Sequence, residues 1–266
     1  MVRRIGWALL TVISLELAGW GAMALHYSGP RPAVLANALA VGLVLATVVT
    51  LGWVRPVGRM LLGLAVLFGA FHLWWGSLTA RNDRDWQSDV ARPAHVEIVG
   101  DSMTVQNLRN FDYRSETDFT EHWETRTFDL SKLSGLDLFM SYWGSPSIAH
   151  TIMSWEFSDG QHLAISIETR KEKGEEYSPI AGFFKQYELY YVVADERDVV
   201  RLRTNSRNEQ VYLFPMRTPV VRARTILLDY VASINALDAT PDWYLSLIHI
   251  SEPTRLRRIS YAVFCL

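Results

Sequence analysis

HTIMSWEFSDGQHLAISIE, residues 150–168, is the stretch whose register decides how the soluble part of this chain folds. Two alternating runs flank Ser158-Asp159-Gly160, a three-residue hairpin loop with glycine where a left-handed conformation is required. Pairing Phe157 with Gln161 sets Trp155 opposite Leu163, Met153 opposite Ile165 and Thr151 opposite Ile167, which makes one face apolar. The other face carries His150, Ser154, Glu156, His162, Ser166 and Glu168, with His150 opposite Glu168. A two-residue Asp-Gly loop would slip the pairing by one and put Trp155 and Phe157 opposite Ala164 and His162. Burial of one face penalises that slip. A histidine with a carboxylate cross-strand partner is the base-plus-orienter half of a nucleophilic site. The same pattern also fits a solvated polar face, and spacing alone leaves both readings standing.

The 266 residues carry a net charge of −2 and no basic patch, so the composition gives no sign of nucleic-acid binding. Hydrophobicity is unevenly placed. Three apolar runs, Ile5–His26, Ala33–Val54 and Met60–Leu78, are each long enough to cross a bilayer as a helix. The first run is too long for the core of a cleavable signal peptide, and two more follow it. Arg3, Arg4, Arg55 and Arg59 outweigh Arg31, so the N-terminus is expected inside and everything after Leu78 outside the cytoplasm. Trp74 and Trp75 suit the outer interface. Glu16, within the first run, is expected to be protonated or paired with His72 or Asn37 as packing glue, with a catalytic or lipid-handling role as the alternative.

Residues 79–93 read as a polar linker, and 94–244 as a soluble α+β domain. Strands are expected at His95–Val99, Ser102–Arg109, Phe119–Leu130, Leu136–Trp143, Gln186–Val193 and Val211–Pro215, with a connector at Ser131–Gly135. Gly144-Ser145-Pro146 leads into the hairpin. Pro219–Leu237 changes to a helical stripe through Val220, Val221, Ala223, Ile226, Leu227, Tyr230, Val231 and Ile234. Arg170 to Glu176 reads as a solvated charged loop, and Asp195-Glu196-Arg197-Asp198 as a salt-bridged turn rather than a metal site, since no histidine accompanies it. Arg109, Arg114, Arg126, Arg201, Arg203 and Arg207 are read as solvated, or as lining a surface for anionic head groups. His150 and His162 lie too far apart along the hairpin to ligate one ion. No metal or cofactor is implied.

From about Leu245 the pattern breaks. SLIHISEPTRLRRISYAVFCL closely resembles the conceptual translation of a sequencing-library adapter. On that reading residues 245–266 are not natural protein, and Cys265, the only cysteine, has no functional meaning. A membrane-surface tail using Arg255, Arg257 and Arg258 is the alternative.

VQNLRNFDYRSETDF, TRTFDLSKL, IAHTIMSWEFSDGQHLAISIETRKEKGEEYSP, FFKQYELYYVVADERD and RTNSRNEQVYLFPM together resemble the Lnb N-terminal periplasmic domain family. The likeness runs from about Trp86 to Tyr244. It implies a permuted papain-like fold, related to NlpC-type and lecithin:retinol-acyltransferase-like enzymes, in which a strand-borne histidine precedes a cysteine at a helix start. His150 matches the family histidine, and Glu168 its orienting partner. The family motif continues past a segment like Asp242-Trp243-Tyr244 into an Asn-Cys-Thr-Thr-type sequence, where this chain departs, so the fold is expected to be cut short before the nucleophile helix. The implied protein sits in a bacterial inner membrane, its partner the lipid bilayer and its domain in the periplasm. Its implied activity is that of a cysteine acyltransferase or hydrolase on a lipoprotein, phospholipid or other envelope substrate, inactive in this form. A non-catalytic envelope binding or scaffold module is the rival reading.

Overall fold

The computed structural model describes residues 2–142 and 149–244, which form two compact units. The first comprises residues 1–80 together with 180–186. Its helices are α1 (Val2–Ser28), α2 (Ala33–Trp53) and α3 (Val57–Ser77), each long and apolar enough to cross a membrane. Pro32 and Pro56 precede α2 and α3, where a missing N–H costs nothing. Leu25, Ala40 and Leu43 pack with Leu67, Phe71 and Trp74. At Gly21 an added Cβ would meet Leu43 at 2.7 Å, so glycine lets α1 and α2 approach closely. The expected partners of Glu16 are not its partners here. Asn37 Oδ1 lies 2.7 Å from His26 Nδ1 instead, and Glu16 is exposed on α1 with no polar partner among the described residues.

The second unit, residues 81–179 and 187–266, holds one large sheet. Its strands are β1 (His95–Val99), β2 (Ser102–Arg109), β5 (Trp123–Asp129), β6 (Leu133–Tyr142), β7 (Ala149–Phe157), β8 (His162–Arg170), β9 (Glu188–Ala194) and β10 (Gln210–Pro215). They run in the order β1-β2-β9-β8-β7-β6-β10, with β5 also on β2. Only the β2–β9 contact is parallel. β3 (Asp112–Tyr113) and β4 (Phe119–Thr120) form a separate small ribbon. The mixed α/β architecture after three apolar helices is the one expected.

The hairpin takes the predicted register. Trp155 opposes Leu163, Met153 opposes Ile165, and Phe157 N–H donates to Gln161 O at 2.9 Å. Gly160 has φ +84°, the left-handed turn position. The apolar face lies under α5 (Val220–Ala239): Trp155 Nε1 donates to Ala223 O at 2.9 Å and its ring meets Tyr230 edge-on. Asn235 extends the hold by donating to Val96 O and accepting from Val96 N–H, as a neighbouring strand would.

The opposite face is largely covered, which corrects the plainer reading for most of its residues, although Glu156 stays exposed and His162 half-buried. Ile152, Ser154, Ala164 and Ser166 are all at most 1% exposed. They lie beneath α4 (Glu196–Arg201) and Trp86–Val90, where Val199, Val90 and Trp86 build a second apolar cluster with Tyr190 and Val192. The supposed charged turn at Asp195–Asp198 is the N-cap and first turn of α4, Asp195 accepting from Arg197 N–H. Asp198 points inward and is fully buried against Arg109.

Four further differences share one cause, long-range pairing. Arg170 is not a solvated loop residue: its guanidinium lies 4.2 Å from the Trp86 ring centre and donates to Val90 O and Ala91 O. The linker pairs with the following segment through Gln87 N–H to Lys171 O and Lys173 N–H to Asp85 O, so residues from Arg81 onward belong to the sheet unit. The run Phe119–Leu130 serves two sheets, Phe119 packing on Phe111 and Phe128 on Phe157, and it therefore divides into β4 and β5. The connector at Ser131–Gly135 is shorter than expected, because Leu133 and Gly135 already pair with β7. Gly144-Ser145-Pro146 and the 245–266 tail lie outside the described residues.

Candidate functional site

Strand alternation brings His150 on β7, Ser166 and Glu168 on β8 to the α4 side of the sheet. His150 Nε2 lies 2.6 Å from Ser166 Oγ and 3.0 Å from Glu168 Oε1, and Ser166 Oγ donates to the same carboxylate oxygen at 2.8 Å. Since Ser166 gives its hydrogen to Glu168, Nε2 is the donor of the imidazole, which makes Nδ1 its basic nitrogen. Ser166 is fully buried and its hydroxyl hydrogen is committed, so it orients and does not attack.

A third partner was not legible from spacing. After α4 the chain makes a π-type turn, Leu202–Ser206, with Arg207 N–H donating to Leu202 O. The turn presents Arg203, which donates to Glu168 Oε1 at 2.7 Å and lies 3.3 Å from Glu209. Ser141 on β6 donates to Glu209. Burial alone would raise the Glu168 carboxyl, but the charges of His150 and Arg203 hold it well below the usual carboxylate range. Glu168 therefore remains an anion at neutral pH. Arg203, although buried, is held protonated by Glu168 and Glu209.

These groups line a cavity of about 400 Å³, shared with Lys171, Tyr177, Arg207 and Tyr244. Tyr244 N–H donates to Tyr187 O, and Trp243 bridges Glu188, so segment 242–244 is laid along β9 and delivered to the cavity wall. Burial, then Tyr177 and Glu168, push the Tyr244 hydroxyl up from its ordinary value, and it stays protonated.

The arginines expected to face solvent or head groups are tied to carboxylates. Arg109 pairs with Asp198 at 2.7 Å, Arg126 with Asp195 and Glu124, Arg201 with Asp112, Arg207 with Glu116, and Arg114 with Asp118. Burial disfavours a charged Arg109, yet the facing Asp198 keeps it protonated. His162, at the far end of the hairpin, lies 3.3 Å from Glu196 and is not part of the His150 cluster. Among the described residues no group of three or more histidines, cysteines or carboxylates could hold a metal ion.

Fold and site define a membrane-anchored α+β protein with a histidine–serine–carboxylate cluster in a cavity. Residues 119–249 match the family described as the Lnb N-terminal periplasmic domain. The match begins later than Trp86 and runs five residues past Tyr244, into the stretch read from sequence as an adapter-like tail. With the three apolar helices, it makes the chain a membrane protein with a periplasmic domain. No curated protein and no solved structure matches the chain.

Proposed function

We propose that the intact protein is a cysteine acyltransferase or hydrolase of the permuted papain-like type, anchored in a bacterial inner membrane and acting on lipid-linked or envelope substrates. Lipoprotein N-acylation is the reaction implied by the family resemblance. One observation carries the proposal: Nε2 of His150 is held by Ser166 and Glu168 in a cavity whose wall is Tyr244. The resemblance implies a cysteine after Asp242-Trp243-Tyr244, a segment whose Tyr244 lines that cavity. His150 Nδ1 would take the thiol proton, the thiolate would attack an ester or amide carbonyl, and His150 would return the proton to the leaving group. An amine or water would then release the acyl group from the thioester. The backbone N–H of the cysteine, at a helix start, would support the oxyanion.

The present chain has no cysteine among its described residues, and on this reading it is inactive. The rival reading is a non-catalytic binding module that uses the cavity. The test restores the uninterrupted reading frame after Tyr244 and compares it with His150→Ala. Loss of acyl transfer or hydrolysis with membrane insertion intact is expected. Activity retained by His150→Ala would overturn the mechanism, and an intact frame without a cysteine there would favour the binder.

A further inference from the structure

Between β8 and β9 the chain leaves the sheet, and residues 180–186, IAGFFKQ, pack with the three helices as part of their compact unit. The packing is specific. The Phe184 ring stacks on Tyr27 at 5.6 Å and lies 6.1 Å from Trp20, while Ser28 Oγ donates to Phe184 O. Lys185 Nζ reaches Trp75 O at 2.9 Å and Leu78 O at 3.4 Å, with the Trp75 ring 4.8 Å away. Lys185 has φ +50°, a backbone conformation that a residue with a Cβ adopts only where its surroundings hold it. The segment is therefore fixed at the C-terminal ends of α1 and α3.

Depth follows from helix geometry. Trp20 precedes the end of α1 by eight residues, about 12 Å of helix at 1.5 Å per residue. Phe184 thus reaches below the helix ends, to the level where Trp20, Trp75 and Tyr27 form an aromatic belt of the kind that marks a bilayer interface. Two side chains beside it are left uncovered: Ile180 is 53% exposed and Phe183 41%. The helices of the same unit are themselves apolar and exposed, Trp20 and Leu73 among their residues.

We infer that Ile180 and Phe183 form an interfacial wedge that inserts among the lipid acyl chains of the outer leaflet. The occupant is the acyl–headgroup boundary of the bilayer. Head-group charge plays no part, because the Lys185 ammonium is engaged by the last carbonyls of α3, where a cation suits the helix C-terminus. The loop pins the chain to the membrane surface a second time, about a hundred residues after the third span.

The test uses the full chain with Cys265→Ser, which removes the only native thiol, and Phe183→Cys carrying an NBD label, in phosphatidylcholine nanodiscs. Blue-shifted emission is expected, quenched more strongly by lipid bearing a nitroxide at acyl carbon 5 than at carbon 12. Replacing part of the phosphatidylcholine by phosphatidylglycerol should leave both readings unchanged. Ile180→Cys should behave alike, which guards against a local effect of the label. Water-like, unquenched emission at both positions would overturn the wedge. A blue shift without quenching by lipid nitroxide would overturn it too, by showing protein over the two residues. Insertion that appears only with phosphatidylglycerol would replace it by an electrostatic contact.

Discussion

Glu168→Gln separates a carboxylate that holds the His150 cluster from one that merely lies beside it. A single oxygen, Oε1, accepts from Ser166 and Arg203 and lies 3.0 Å from His150 Nε2. Glutamine keeps the size but removes the charge, and leaves Arg203, whose side chain is 6% exposed, with Glu209 as its carboxylate among the described residues. Removing one partner of a buried ion pair costs about 3–5 kcal/mol. The Glu168 side chain is 24% exposed and Arg203 keeps a second carboxylate, so the low end applies, about 3 kcal/mol. For a domain of this size that lowers the melting temperature by about 6–12 °C at neutral pH. The pH dependence has a definite sign. The folded-state carboxyl lies well below its ordinary value, so its contribution is complete above the unfolded value of about 4.3. It is lost as pH falls through the lower folded value. The gap between wild type and variant should therefore be full at neutral pH and close on acidification below about pH 4. Thermal unfolding of the full chain in detergent, across pH, reads both. A neutral-pH shift of less than about 1 °C, or a gap that persists unchanged into acid, would refute the reasoning.

Asp198→Asn should cost about 3–5 kcal/mol, because it strands Arg109 in the interior, whereas Asp112→Asn at the exposed Arg201 pair should cost less than about 1 kcal/mol. Equal shifts in melting temperature for the two would show that burial does not govern these ion pairs. A reporter that works only in the periplasm, fused after Pro93, should be active; a well-expressed but silent fusion would reverse the topology.

The hairpin register was legible because an alternating run with one buried face tolerates no slip, and Trp155, Leu163, Met153 and Ile165 mark that face. α5 was legible from its helical period, and the three membrane helices from the length of their apolar runs. What could not be read was the cover on the second face. Its residues at 154, 164 and 166 are serine, alanine and serine, small enough for α4 to approach, and small size was the one signal available. The ion pairs were hidden more deeply. Arg109 and Asp198 are 89 residues apart, and nothing in the period of either segment points to the other. Arg203 reaches Glu168 only because the helix loosens into a π-type turn, a local irregularity with no signature in hydropathy.

The arrangement of that turn bears on the order in which the cluster assembles. Arg203 is bound to Glu209 twice, by side chain and by Glu209 N–H to Arg203 O, across only six residues. His150, Ser166 and Glu168 likewise belong to one hairpin. Each half closes a short loop, which costs little chain entropy and is fast. Among the described residues the contact from Glu168 to Arg203, 35 residues apart, joins the two halves, and Ser141 to Glu209, 68 apart, ties the turn to β6. The cluster thus needs these long closures, and the parties to them can be in shape before they meet.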